Sequence, residues 1–164
     1  MMKAKKPVTI RSWEIVFPND ANPQKTMFGG KLMSIMDKTA AIAASQFARR
    51  MVVTASTEAM DFINPVYVGD RIQTTASVVW VGKTSMVVRV DVVAENPLTE
   101  GRRHCVSAHF NFVALDKNNN PAPVPPLLVE TEDEKREYRI AEIVKKNAIE
   151  RKKKIAETSR IGED

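Results

Sequence analysis

The 164-residue sequence predicts an α+β fold in which a curved antiparallel β-sheet wraps around one long central α-helix. The first observation is a spacing of three and four between apolar residues from Gly30 to about Arg50, which is the period of a helix. The second is an apolar period of two that recurs from Val52 to Leu115 and is typical of strands. A single helix cannot cover a broad sheet unless the sheet curls around it, so the two patterns together predict the curvature.

Each predicted element is bounded by residues that favour turns or breaks. Pro18 to Pro23 separates the first strand from the helix, and pairs of turn-forming residues separate the later strands. The predicted strands are Thr9 to Phe17, Val52 to Phe62, Asp70 to Val81, Thr84 to Ala94 and His104 to Leu115. Four prolines in residues 121–126 form an extended connector to a charged, helical C-terminal tail, and the capping box Thr131 to Glu134 marks its start. We therefore divide the chain into a domain of residues 1–126 and an extension of residues 127–164.

The composition is that of a globular protein from a reducing compartment. The chain is 43% hydrophobic and 27% charged, fractions that are ordinary for a globular protein and favour a folded chain over a disordered one. No apolar run approaches the roughly 20 residues of a membrane span. Cys105 is the single cysteine, so an intramolecular disulfide is excluded and we expect a cytoplasmic protein. The net charge is +5, but the charged tail is nearly balanced in sign and holds one aromatic residue, Tyr138. We therefore expect no nucleic-acid and no membrane partner, whereas a polyanionic small molecule would be attracted.

The start of the predicted helix combines a glycine pair with an internal carboxylate. Gly29 and Gly30 leave backbone N–H groups exposed at the positive end of the helix, where a polarised carbonyl or an oxyanion binds. Asp37 follows two turns later among apolar residues, where an ionised carboxylate costs several kcal/mol unless it is paired or hydrated. This arrangement favours catalysis over stability.

The order of these features resembles the hotdog-fold acyl-CoA thioesterases, and more narrowly their bacterial and cytosolic acyl-CoA hydrolase branch. The resemblance covers about residues 10–125. Its matching stretches are Phe17 to Ala44, Val53-Thr54-Ala55-Ser56, Asp61 to Val66 with Val68-Gly69-Asp70, and Val81 to Met86. It implies the hydrolysis of an acyl-CoA to a fatty acid and free coenzyme A, with no metal and no redox cofactor.

The resemblance implies a catalytic pair of a loop asparagine and a helix acid, which by position are Asn22 and Asp37. Asp37 would act as a general base on water or as a nucleophile that forms a mixed anhydride, and both mechanisms stay open. Asn22, Gly29 and Gly30 would position the water or polarise the thioester carbonyl. Asp37 lies about 10 Å along the helix from Gly30, so one carbonyl cannot touch both within one chain. A homodimer with antiparallel central helices would bring them together, and relatives of this branch imply a homohexamer of three dimers.

The same resemblance implies where the coenzyme would bind. The strand segments Ala55-Ser56-Thr57 and Lys83-Thr84-Ser85-Met86 match segments that line coenzyme A, and the basic pair Arg151-Lys152 loosely matches a phosphate contact. Simpler explanations stay open: Asn22 could only shape its loop, the glycines could serve close packing, and the tail could be merely solvated.

Two alternative functions belong to other classes of protein. A hotdog hydratase would need a histidine beside the acid, but none lies in residues 1–103, so the main alternative is a non-catalytic acyl-CoA sensor. His104 and His109 are five residues apart and are expected on opposite faces of a strand, which excludes a metal pair. Cys105 is expected as a small hydrophobic residue of that strand.

Overall fold

The computed structural model describes residues 1–160, and residues 161–164 of the predicted extension lie outside the described part. The described residues form five β-strands and two α-helices. The strands are β1 (Thr9–Ile15), β2 (Met51–Phe62), β3 (Arg71–Val81), β4 (Ser85–Glu95) and β5 (Arg103–Leu115), and the helices are α1 (Gly29–Ala48) and α2 (Glu132–Arg160). A short 3-10 helix, Pro18–Asp20, lies in the loop before α1.

The five strands form one antiparallel sheet in the order β1-β3-β4-β5-β2, so β1 and β2 are its edges. Helix α1 contacts every strand of this sheet, as expected for a sheet that curls around a helix. The predicted fold class is therefore confirmed.

Helix α1 buries one continuous stripe against the concave face of the sheet. Its buried residues are Leu32, Ile35, Met36, Thr39, Ala40, Ala43, Ala44, Phe47 and Ala48. Because four of these are alanines, the helix backbone can lie close to the strands, and Phe47, Phe110 and Phe112 fill the remaining space. The helix ends where Arg49 adopts a left-handed conformation with φ 53°.

Helix α2 lies on the opposite, outer face of the sheet. Its first turn is closed by the predicted capping box, in which the Glu134 backbone N–H donates to Thr131 Oγ1 at 3.1 Å. Ala141 packs against Val79 and Val87 beneath the helix. Neither helix of the described residues is long and apolar enough to cross a membrane. The domain boundary placed at residue 126 stays a prediction.

The predicted placement of His104 and His109 on opposite faces is wrong. Strand β5 contains a bulge, since Cys105 has no partner in the register with β4. The extra residue returns His104 to the outer face, where its Nε2 lies 3.1 Å from Asp91 Oδ1. His109 is the register partner of Arg89, which binds Asp91 on that same face. Even so, residues 1–160 contain no cluster of three or more potential metal ligands.

Candidate active site

Asp37 lies on α1 where the helix passes β2, and its side chain is partly exposed rather than buried. Its Oδ1 accepts a hydrogen bond of 2.6 Å from Thr54 Oγ1 on β2. This bond fixes the orientation of the carboxylate and leaves lone pairs of Oδ2 for a water molecule. Sequence reasoning assigned Thr54 no role, because threonine is favoured in strands for packing alone.

Asn22 is fixed in its loop through the oxygen of its side-chain amide. The backbone N–H groups of Gln24 and Thr26 donate to Asn22 Oδ1 at 3.0 and 3.2 Å. Its Nδ2 lies 2.8 Å from Thr26 Oγ1, and an amide nitrogen carries two hydrogens, so one N–H can still donate elsewhere. The asparagine therefore does shape the loop, and it also presents a donor of fixed orientation.

The N-terminus of α1 is not capped by a side chain. Phe28 occupies the N-cap position without a side-chain hydrogen bond, and its carbonyl accepts only from Lys31 and Leu32. The first N–H groups of the helix, at Gly29 and Gly30, have no partner within the helix. A Cβ on Gly30 would lie 2.7 Å from the exposed Phe28 ring, so the ring would have to shift to admit a larger residue there. At Gly29 the nearest atoms are 3.8 Å away, which is ordinary contact.

A cavity of about 280 Å³ opens beside this N-terminus. Its walls are mainly apolar and comprise Thr26, Met27, Gly29, Leu32, Phe62, Ile63, Asn64, Pro65 and Val66. Within one chain, Asp37 and the N-terminus of α1 lie at two separate positions. Asp37 contacts Thr54 near the start of β2, whereas the cavity at Gly29 is bounded by Phe62 at the end of that strand.

The resemblance implies that two segments bind coenzyme A, namely residues 55–57 on β2 and residues 83–86 at the β3–β4 turn and the start of β4. Ser56 Oγ, on β2, accepts a hydrogen bond of 2.9 Å from the buried Asn111 of β5. Lys83 and Thr84 lie in the β3–β4 turn and Ser85 begins β4, and all three are exposed or half-buried. The Met86 side chain is fully buried in the core, so its contribution to a surface site is limited to its backbone.

Of the two basic residues Arg151 and Lys152 on α2, only Arg151 forms an ion pair within residues 1–160. Arg151 forms a bidentate ion pair with Glu58 on β2, with 2.8 Å between Nη2 and Oε1. These hydrogen bonds lower the pKa of the Glu58 carboxyl, whose side chain is only 5% exposed. No carboxylate of residues 1–160 lies within ion-pair distance of Lys152.

Comparison with known proteins identifies relatives over most of the chain. The family model of the thioesterase superfamily matches residues 24–100. The uncharacterised acyl-CoA thioester hydrolase YkhA of Bacillus subtilis is 44% identical over 119 residues, which are 73% of this chain and 69% of that protein. The crystal structure of acyl-CoA hydrolase from Bacillus cereus is 40% identical with a TM-score of 0.84, and the match covers 97% of this chain and 96% of that one.

Two further solved structures bear on ligands and assembly. The acyl-CoA hydrolase of Staphylococcus aureus, in complex with butyryl coenzyme A, coenzyme A and coenzyme A disulfide, is 34% identical over 93% of each chain, with a TM-score of 0.86. A hexameric thioesterase from Yersinia pestis is 32% identical, with a TM-score of 0.66 and coverage of 70% of this chain and 93% of that one.

Three other structures of the Staphylococcus aureus enzyme are alanine variants of an asparagine, an aspartate and a threonine. The spacing of these three positions equals the spacing of Asn22, Asp37 and Thr54 in this chain.

Proposed function

Because the chain belongs to the acyl-CoA thioester hydrolases of the thioesterase superfamily, we propose that it cleaves an acyl-CoA with water to a carboxylic acid and free coenzyme A. The observation that carries the site assignment is the hydrogen bond between Thr54 and Asp37. It holds a partly exposed carboxylate in one orientation at the place where the relative from Staphylococcus aureus has the substituted aspartate and threonine. Position matters because a base must lie within hydrogen-bond reach of the water it deprotonates.

The reaction needs a base or nucleophile and a donor to the thioester oxygen. Asp37 is the base or nucleophile, and Thr54 is a positioning residue that orients it. The N–H groups of Gly29 and Gly30 and the remaining amide N–H of Asn22 are the donors that would stabilise negative charge developing on that oxygen. The apolar cavity beside Gly29 would exclude water from the rest of the substrate, which strengthens these hydrogen bonds.

Substitution of Asp37 tests this assignment. We expect Asp37→Ala to lower kcat for acyl-CoA hydrolysis by about 10²-fold or more, and Asp37→Asn to behave alike because the amide keeps the size but not the basicity. Release of coenzyme A is followed with a thiol reagent, using acyl chains of several lengths. Lys38→Ala, one residue along and exposed, is the matched control and should keep the wild-type rate.

An Asp37→Ala variant that folds and retains half of the wild-type rate would contradict the assignment. A wild-type protein that binds acyl-CoA without releasing the thiol would instead be a non-catalytic sensor.

We further propose that the active unit is a dimer and that three dimers form a hexamer, as the hexameric relative supports. Strand β2 is a 12-residue edge whose outer side has no partner strand among residues 1–160, and such an edge favours pairing with a second strand. Exposed apolar side chains flank it, namely Phe28, Met33, Met51, Val53 and Phe62. A partner with an antiparallel α1 would bring its helix N-terminus to Asp37 across this edge.

A shared site predicts complementation between two inactive variants. We expect mixed Asn22→Ala and Asp37→Ala subunits to recover part of the activity, because some heterodimers then contain one intact site. Mass spectrometry of the native assembly verifies that subunits have exchanged. An absence of recovery after verified exchange would place the complete site within one chain.

A further inference from the structure

The cavity beside Gly29 has an open rim and a closed bottom. The rim includes Phe62, whose side chain is 55% exposed and whose ring lies 3.8 Å from the position that a Cβ on Gly29 would occupy. The part farthest from solvent is formed by three buried side chains, those of Met27, Leu32 and Val66. A chain attached to a carbonyl at the N-terminus of α1 would therefore enter past Phe62 and end against buried apolar groups.

One wall of the cavity, which we call the wall segment (residues 63–66), is anchored to the first residues of β5. The backbone N–H groups of Ile63 and Asn64 donate to the carbonyl of Cys105 at 2.7 and 3.3 Å. The side-chain Nδ2 of Asn64 donates to the carbonyl of His104 at 2.8 Å. The wall segment thus remains bound to β5 after β2 has ended, and the Asn64 amide adds a side-chain bond to the two backbone bonds.

The wall segment is also anchored to the loop that precedes α1. The Met27 backbone N–H donates to the carbonyl of Val66 at 2.7 Å, and just beyond it Thr26 and Tyr67 form an antiparallel bridge. Between the two anchors, the ring of Pro65 fixes its own φ, so the backbone there has little freedom. Val66 therefore cannot move away from the cavity unless hydrogen bonds on one side or the other are broken.

The volume of the cavity, about 280 Å³, limits the length of an acyl chain that it could hold. An apolar cavity of about 150 Å³ holds the six carbon atoms of one benzene molecule, so at the same filling the cavity beside Gly29 holds about 11 carbon atoms. Each methylene group that enters the cavity adds to binding because it leaves water. Once the chain reaches the bottom, further methylene groups must stay outside or displace the wall, which is unfavourable.

We propose that Val66 limits the acyl chain in this cavity to about 11 carbon atoms, with Asn64 as the positioning residue that holds Val66 in place. This inference rests on the proposed function, and it makes short- and medium-chain acyl-CoA thioesters the substrates. Val66 suits the role better than Met27, because a β-branched side chain is restricted in its rotamers whereas methionine adapts its shape. A wall anchored on two sides gives a sharp limit rather than a gradual one.

Hydrolysis of a series of straight-chain acyl-CoA thioesters, from acetyl-CoA to palmitoyl-CoA, tests the proposal. For the wild type we expect kcat/KM to rise by about 2- to 4-fold per methylene group up to decanoyl-CoA and to fall for lauroyl-CoA and longer chains. Val66→Ala should move the maximum to a longer chain, and Val66→Ile, with one more methyl-sized group, should move it to a shorter one. Val68→Ala is the matched control, since Val68 does not line the cavity, and it should keep the wild-type profile.

Asn64→Leu tests the positioning role, because leucine has a similar size but cannot donate to the carbonyl of His104. We expect lauroyl-CoA and palmitoyl-CoA to gain activity in this variant, since the wall can then yield to a longer chain. Its kcat for butyryl-CoA should equal that of the wild type. Equal changes for short and long chains would show that Asn64 only stabilises the fold.

A wild type whose kcat/KM keeps rising to palmitoyl-CoA would overturn the limit. Equal losses for all chain lengths in both Val66 variants would also overturn it, because the cavity would then hold another part of the substrate, and so would unchanged profiles. A wild type that hydrolyses none of the thioesters contradicts the proposed function alone. Calorimetric binding of the same series then decides: an affinity that is highest for decanoyl-CoA would support the role of Val66, and an affinity independent of chain length would overturn it.

Discussion

Helices α1 and α2 cover the two faces of the same sheet, but different forces hold them there. Helix α1 packs nine buried residues against the concave face of the sheet, and eight of the nine are apolar. Helix α2 buries two alanines among its described residues and is attached at two points by ion pairs. Near its start Glu137 binds Arg89 at 2.5 Å, and near its end Arg151 binds Glu58.

The difference separates a part of the molecule that provides most of the apolar stabilisation from a part that is held by polar contacts. Apolar burial contributes about 25 cal/mol per Å² removed from water, so the α1 face stabilises the fold and gives Asp37 a fixed support. Partly exposed ion pairs contribute little, so α2 is held more weakly. The sheet under α2 can therefore carry polar groups such as Ser56 and Asn111, which a core face would exclude.

The largest expected effect comes from removing a side chain under α1. Phe47 is fully buried, so Phe47→Ala should lower the free energy of unfolding by about 3–5 kcal/mol through lost burial and the cavity left behind. Ile149→Ala on α2, where the isoleucine is 59% exposed, should change it by less than about 0.5 kcal/mol. Guanidinium denaturation at one protein concentration measures both. Similar losses in the two variants would remove the distinction between the faces.

A smaller effect, confined to α2, is expected from breaking its ion pair with β2. Glu58→Gln keeps the size of the side chain but loses the charge that Arg151 binds, so the second half of α2 should exchange its amide hydrogens several-fold faster. Exchange in α1 should be unchanged. Glu157→Gln, whose exposed carboxylate lies 3.9 Å from Lys153, is the control and should exchange like wild type. Faster exchange throughout the chain would show that α2 is part of the cooperative core.

Acid should reproduce the effect of Glu58→Gln in the wild-type protein. The pKa of Glu58 is lower in the folded chain, so its contribution to stability is present above the ordinary value of 4.5 and is lost as pH falls through the folded pKa. Protection of the α2 amides, expressed as the ratio of the intrinsic to the observed exchange rate at each pH, should fall in that pH range in wild type and not in the variant.

Local periodicity was sufficient to predict α1 and the strands, because these depend on residues close in sequence. The family was predicted from a resemblance in motifs and not from periodicity. The fold and the membership in the acyl-CoA hydrolases are confirmed. The pairing of Arg151 with Glu58 was not foreseen, since 93 residues separate them and each has the appearance of an ordinary surface charge. The bulge at Cys105 was missed for a different reason: strand alternation predicts faces correctly only while every residue has a partner.

The candidate site was only partly accessible from the sequence. Asp37, Asn22 and the glycine pair were singled out by their types and spacing. Thr54 lies within a stretch that resembles the family, but the sequence indicates no role for it, because its hydrogen bond to Asp37 exists only once β2 lies beside α1. The roles of these residues stay predictions.

The smallest expected effect is a pH dependence from a buried histidine on the outer face. Neither ring nitrogen of His109 has a hydrogen-bond partner among residues 1–160, and Arg89, Asp91 and Glu137 are the charges around it. Burial lowers the pKa of His109, and the Arg89 charge adds to this. Below the ordinary value of 6.5 the unfolded chain therefore takes up a proton before the folded chain does. The free energy of unfolding should fall as pH decreases from 7, until pH passes below the folded pKa.

His109→Leu isolates this contribution. One titrating group changes the free energy of unfolding by at most about 1.4 kcal/mol per pH unit. In His109→Leu, the free energy of unfolding should therefore depend less steeply on pH between 7 and 5 than in wild type. His104→Leu is the matched control, because His104 lies on the same face but is exposed and bonded to Asp91. Urea denaturation at half-unit pH steps measures the three slopes. If His109→Leu keeps the wild-type slope, the outer face contains no histidine held neutral by burial, and the polar groups beneath α2 are better solvated than their burial indicates.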